Sequence, residues 1–276
     1  MKNILVPCDF SKPAVNAFRF AIDLAKKTKG VVYAIHIVEL PAISDPVLMP
    51  VAAFEKDFMS DLKEKTESRF EKLISKYNSA GVEIKTEVAF GAPFRVIEEK
   101  ISKRKIDLVV MGTHGATGIR EYLIGSNAEK VVRRSKVPVL VLKDYYRGPI
   151  KDIVFPNTLE TEKQEKLIEK VKELQAFFKA KLHIVYVNTP TNFTADDITT
   201  ERLKRFVQRY GIRNYTLNVY NYPFEESGII QFTKNIKGDL IAMRTHGRQG
   251  LAHFLNGSLA EDVVNHADRP IWTFAC

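Results

Sequence analysis

Two short stretches of this chain have the residue types of an anion-binding loop. Gly112-Thr113-His114-Gly115 is followed, after nine intervening residues, by Gly125-Ser126. Arg244-Thr245-His246-Gly247 is followed, at the same spacing, by Gly257-Ser258. Glycines after a buried strand let backbone N–H groups approach a phosphate closely. A Gly-Ser pair opening a helix adds free N–H groups, the positive end of the helix dipole and a hydroxyl. Asp9, within Pro7-Cys8-Asp9-Phe10-Ser11, is an acceptor for ribose hydroxyls, an adenine amine or a metal. Each feature also has a purely structural reading. Glycines serve turns, Ser126 with Glu129 makes a capping box, and Asp9 caps a helix. Their combination at predicted strand ends, and its recurrence, favours a binding site.

Alternating strands and helices must position these residues. Ile4-Leu5-Val6 reads as a buried strand, and the apolar stripe from Ala14 to Lys27 as a helix. Val31–Val38 is a second strand, followed by a loop with Pro41, Pro46 and Pro50. A long amphipathic stretch carries Phe54, Phe58, Leu62, Phe70, Leu73 and Ile74. A strand over Val82–Phe90, a helix over Pro93–Lys103 and a strand over Leu108–Met111 follow, with Pro93 suited to a first turn. Ser126 starts a helix, and Pro138–Leu142 is a fifth strand. The second half repeats the pattern with Ile153–Phe155, a helix from Glu160 to Lys179, and strands over Leu182–Val187, Leu240–Met243 and Ile271–Phe274. It lacks the proline-bearing loop, and its second helix is shorter. Such alternation predicts an α/β fold: two tandem doubly wound domains, each a five-stranded parallel sheet flanked by helices. In that fold, ligands bind beyond the carboxyl ends of the strands, where the winding reverses.

The duplication is visible directly. Residues 107–142 and 239–274 share 15 identities in 36 positions without a gap. The period is far too long for a solenoid. It predicts homologous domains over 1–145 and 150–276, joined by Lys143–Pro149. Within 276 residues, 45% hydrophobic content is enough for sizeable cores. No apolar run approaches the roughly 18 residues that span a bilayer. No signal peptide is read at the N-terminus, so a cytoplasmic protein without a membrane partner is expected. The net charge of +9 lies mostly in the first half, where most charges alternate in sign along helical stretches and read mainly as a solvated face. No aromatic-interleaved basic motif accompanies it, and a nucleic-acid partner is not expected.

Other chemistry is poorly supplied. Cys8 and Cys276 lack metal-ligand spacing and read as reduced thiols. His36 reads as a core histidine; His114 and His246 have no Ser/Asp relay partner nearby in sequence. Neither the lysine-bearing P-loop motif nor GxGxxG after the first strand is present.

These residues resemble the universal stress protein family. Gly112, Gly115, Gly125 and Ser126 match the G-x2-G-x9-G-[ST] motif of its ATP-binding members in full. Pro7-Cys8-Asp9-Phe10-Ser11 is similar to the family's first loop, and Ile35-His36-Ile37-Val38 to the end of its second strand. The resemblance implies an adenine nucleotide, ATP, with Mg²⁺ alongside. By it, Pro7, Cys8 and Asp9 border the ribose and adenine, and the backbone at Ile37 and Val38 meets the adenine. Met111, Gly112, His114 and Gly115 line the phosphate loop; Gly125, Ser126 and Asn127 hold the outer phosphates. It also implies pairing of the strands around Val139 and Ile271 as an intramolecular pseudo-dimer, with a homodimer as a further option. Arg244 replaces the first glycine in the second half, and Asn157 is read as standing where the first half has Asp9. The second half is therefore expected not to bind ATP in the usual way, with an anion clamped by Arg244 ranked second. A stress-responsive binding module is the leading reading. A slow metal-dependent ATPase and a nucleotide-independent interaction scaffold are the alternatives, and no general base or arginine finger is visible for the former.

Overall fold

The structure, a computed structural model, describes residues 1–39, 51–78, 81–113, 126–159, 164–245 and 259–275, without the side chains of 51–58 and 126. The chain divides into two units, Met1–Gly112 and Thr113–Cys276.

In the first unit, apolar runs form strands β1 (Asn3–Pro7), β2 (Val31–Val38), β3 (Glu83–Phe90) and β4 (Leu108–Gly112). Helices α1 (Lys12–Thr28), α2 (Val51–Tyr77) and α3 (Pro93–Lys103) connect them. All pairings are parallel, in the order β3-β2-β1-β4. Such connections need a crossover, which each helix provides. Ile4, Val6, Val32, Leu108, Val109 and Val110 are fully buried, as a sheet covered on both faces requires. The winding reverses between β1 and β4, so the loops leaving these two strands frame the expected ligand position.

Local signals set the boundaries of α1. Ser11 caps it, its Oγ accepting from the Ala14 N–H at 3.3 Å, and Pro13 occupies the first turn. Lys29 ends it in the left-handed region at φ 51°, its N–H returning to the Ala25 carbonyl.

The second unit contains α4 (Ser126–Arg134), β5 (Val139–Leu142), β6 (Asp152–Pro156), α5 (Glu165–Phe178) and β7 (Lys181–Asn188). A 3-10 turn (Pro190–Asn192), α6 (Asp196–Tyr210), β8 (Tyr215–Asn221) and α7 (Glu225–Asn235) follow. β9 (Leu240–Thr245), α8 (Leu259–His266) and β10 (Ile271–Ala275) complete it. Strands β8-β7-β6-β9-β10 repeat the winding of the first unit, all in parallel. β5 joins the same sheet antiparallel to β10, with Trp272 opposite Leu140. β5 is therefore grouped with the second unit, although it is the last strand of the first sequence repeat. The chain adopts the expected α/β fold, with a mostly parallel sheet flanked by helices.

One pair of identities left unexplained by the sequence has a structural role. Asp107 Oδ2 accepts from the N–H groups of Lys2 (2.7 Å) and Asn3 (3.0 Å). Asp239 Oδ2 does the same for Lys151 (2.8 Å) and Asp152 (3.0 Å), and its Oδ1 accepts from the Tyr146 hydroxyl at 2.5 Å. In each unit a carboxylate entering the fourth strand anchors the start of the first. Burial, followed by the hydrogen bond to Asp239, pushes the Tyr146 hydroxyl's pKa well above its ordinary value. Hydrogen bonds to charged groups contribute about 1.5–3 kcal/mol. Asp239→Ala is expected to lower stability by about that amount in urea unfolding. Asp107→Ala should lower it by less, because Asp107 is exposed and has no tyrosine partner.

Candidate functional site

The site grows from the loop that follows β1. The Cys8 N–H extends the ladder to the Ile35 carbonyl (2.8 Å), and the Cys8 carbonyl accepts from His36 Nδ1 (2.8 Å). This bond places the proton on Nδ1. His36 is thus a structural histidine, holding the loop to β2. Phe10 then turns the chain in the left-handed region at φ 64°, a costly conformation for a residue with a Cβ. Its ring contacts offset the strain: Phe70 lies at 4.8 Å, His36 at 5.2 Å, and the Arg69 guanidinium 4.0 Å from the ring centroid.

The turn presents Asp9. Its Oδ1 accepts from the Ser11 N–H at 2.9 Å, and the side chain is exposed. Among the described residues Oδ2 carries no hydrogen bond, so one oxygen is held and the other is available to a ligand. The expected N-cap role belongs to Ser11 instead. Cys8 is 3% exposed, and burial pushes its thiol up to about 11. A protonated, covered thiol is a poor nucleophile at neutral pH.

At the end of β4, Met111 is buried and Gly112 half-buried. A Cβ on Gly112 would stand 2.2 Å from both the carbonyl carbon and oxygen of Pro13, and 2.6 Å from the Ala14 nitrogen. These are backbone atoms of the first turn of α1 and have no freedom to withdraw. Gly112 is thus required by packing, whatever ligand its N–H meets. Ile37 and Val38 end β2 half-buried. Pro7, Cys8, Asp9, Ile37, Val38, Met111 and Gly112 therefore all lie at the carboxyl ends of β1, β2 and β4. His114, Gly115 and Gly125 lie outside the described residues. Ser126 opens α4, as expected of the last motif position, and Asn127 follows half-buried.

The second unit corrects one expectation. The Asn157 N–H donates to the Val185 carbonyl (3.0 Å), as Cys8 does to Ile35. Two residues later, Leu159 turns at φ 63°, as Phe10 does at φ 64°. Asn157 thus corresponds to Cys8, and Thr158 to Asp9. Pro7 and Pro156, which end the two strands, set this register. Asn157 Oδ1 accepts from the Leu159 N–H (2.7 Å), and its Nδ2 donates to Gln164 (2.8 Å). No carboxylate occupies the ligand-facing position. Arg244 stands half-buried in β9. Helix α5 is described over 14 residues from Glu165, against 17 in α1, and a left-handed lysine follows each.

The fold and this geometry agree with comparisons to known proteins. The universal stress protein family model matches residues 1–143 and 223–274, and the chain belongs to that family. The universal stress protein MJ0531 of Methanocaldococcus jannaschii is 37% identical over 142 residues, covering 51% of this chain and 82% of that protein. Universal stress protein G of Salmonella typhimurium is 32% identical over 144 residues, covering 51% of this chain and 99% of that protein. Relatives of one-domain length thus match half of this chain. A crystal structure of a universal stress protein from Archaeoglobus fulgidus matches 99% of this chain and 98% of its own. Its TM-score is 0.75 at 20% identity, which shows the shared fold.

Gly112→Ala is expected to destabilise the protein by at least about 3 kcal/mol, since backbone cannot yield to the new methyl group; thermal unfolding measures this. The raised Cys8 thiol gives a second expectation. Its folded pKa lies above the ordinary 9.0, so its contribution is full below pH 9 and lost as pH rises towards 11. The urea midpoint of the unaltered protein should fall over that window more steeply than that of Cys8→Ala.

Proposed function

We propose that this universal stress protein binds ATP, or another adenine nucleotide, in its N-terminal repeat and acts as a stress-responsive binding module. The observation that carries the reading is the convergence of Asp9, the end of β2 and Gly112 at the switch point between β1 and β4, in a chain with the full phosphate-loop motif. The described residues fit an adenosine moiety. Asp9 has one oxygen engaged and one available, and the Phe10, His36 and Arg69 contacts pre-shape its loop. Gly115, Gly125, Ser126 and Asn127 would hold the phosphates, with Mg²⁺ supplying charge neutralisation beside them.

We also propose that residues 1–145 and 150–276 are the two homologous domains, and that the β5–β10 pairing supports an intramolecular pseudo-dimer. Thr158 in place of Asp9 and Arg244 in place of Gly112 favour a second repeat that does not take ATP. The binding reading is preferred over a slow ATPase because the sequence shows no arginine finger and no dedicated general base beside the motif.

Mass spectrometry of ligand released from freshly purified protein should find an adenine nucleotide. ATP should raise the melting temperature of the unaltered chain and not that of Gly125→Val. Protein that carries no nucleotide and does not respond to ATP would refute the proposal. Multiple turnovers of ADP release, lost in Ser126→Ala, would favour the enzyme.

A further inference from the structure

The second unit has a cleft of its own, of about 370 Å³, at the carboxyl ends of β6 and β7. Thr158, Tyr186, Asn192, Phe193, Arg202 and Glu225 are among the residues that line it. Its volume is within the range of small-molecule sites, about 300–1,000 Å³.

The cleft is built without a ligand. Asn188, 3% exposed, binds the chain segment that crosses it: Oδ1 accepts from the Thr194 N–H (3.0 Å), and Nδ2 donates to the Thr194 carbonyl (3.1 Å). The same Nδ2 also donates to Asn221 Oδ1 (2.8 Å), tying the segment to β8. The strap from Thr189 to Thr194 is thereby closed at both ends and offers hydroxyls and an amide to the cleft.

Arg202 supplies the charge. Its Nη2 donates to the Thr158 carbonyl at a long 3.4 Å, and its guanidinium lies 5.8 Å from the centre of the Tyr186 ring. Among the described residues it makes no ion pair. A half-buried guanidinium fork facing a cleft in this state is suited to an oxyanion. The arginine is also common to both repeats. Arg202 stands eight residues before Tyr210, the end of α6; Arg69 stands eight before Tyr77, the end of α2. Arg69 covers the Phe10 turn, and Arg202 the equivalent Thr158-Leu159 turn. The two copies have parted at Asp9 and Thr158, and at Gly112 and Arg244, yet both keep an arginine over the first loop.

We propose that this cleft is a second ligand site, and that it takes a small hydroxylated phosphate monoester of sugar-phosphate size. Arg202 holds the phosphate by its fork. Glu225, Asn192 and the strap threonines meet the hydroxyl groups. Phe193, 72% exposed at the rim, covers the ring. This site is independent of nucleotide binding in the first unit.

Ribose 5-phosphate is the probe, with ribose as the neutral control, measured by calorimetry on the full chain and by the fluorescence of Phe193→Trp. Saturable binding is expected, at least about tenfold tighter than ribose. Arg202→Gln should weaken it about tenfold or more at an unchanged melting temperature, and Arg202→Lys should retain part of it. Asp9→Ala should leave it unchanged, and excess ATP should not displace it. The proposal is overturned by absence of saturable binding in both measurements, by equal affinity for ribose, or by an unaltered affinity in Arg202→Gln. Loss of binding in Asp9→Ala, or displacement by ATP, would overturn it equally, because the probe would then occupy a nucleotide site.

Discussion

No side chain can stand where the fourth strand meets the first turn of α1. The distance from a Gly112 Cβ to Pro13 backbone, 2.2 Å, is far inside contact. This one approach brings the end of β4 against the start of α1, and with it the loop that carries Asp9. The glycine of the phosphate motif is therefore also the glycine of the packing contact. One residue type satisfies both, because each needs the space that a Cβ would fill. In the second unit Arg244 occupies the corresponding position in β9.

The loop between β1 and α1 is the other half of this arrangement. A non-glycine residue in the left-handed region persists only where its surroundings over-determine it. Phe10 is held by an aromatic ring below, an imidazole beside and a guanidinium above. His36, bonded to the Cys8 carbonyl, fixes the preceding residue. Asp9, between these anchored neighbours, is oriented, and among the described residues no ion pair neutralises it. Rigidity of this kind lowers the ordering cost of ligand capture.

Much of the fold was legible in the sequence because short apolar runs bounded by turn residues and alternating with amphipathic stretches suit strands covered on both faces. The runs at Ile4-Leu5-Val6 and Leu108–Met111 lie inside β1 and β4, and the stripe from Ala14 to Lys27 lies inside α1. The helix expected over Glu160–Lys179 is described only from Glu165, with 160–163 outside the described residues. What periodicity does not carry is distance between elements. The anchoring of β1 and β6 by Asp107 and Asp239 was visible only as an unexplained identity. The arginine common to both repeats lies outside the ungapped repeat, and only the helix ends of α2 and α6 bring it into register. The pairing of Asn157 with Asp9 failed for a different reason: the prolines that end β1 and β6, Pro7 and Pro156, set the register, and the strand ladder agrees with them.

The proposed function follows from an asymmetry between two copies of one fold, one with Asp9 and Gly112, the other with Thr158 and Arg244. Calorimetric titration of the nucleotide-free chain with ATP tests it most directly, because the heat reports stoichiometry and affinity together. One equivalent of ATP per chain is the result predicted. Two equivalents of similar affinity, or no binding at all, would contradict it.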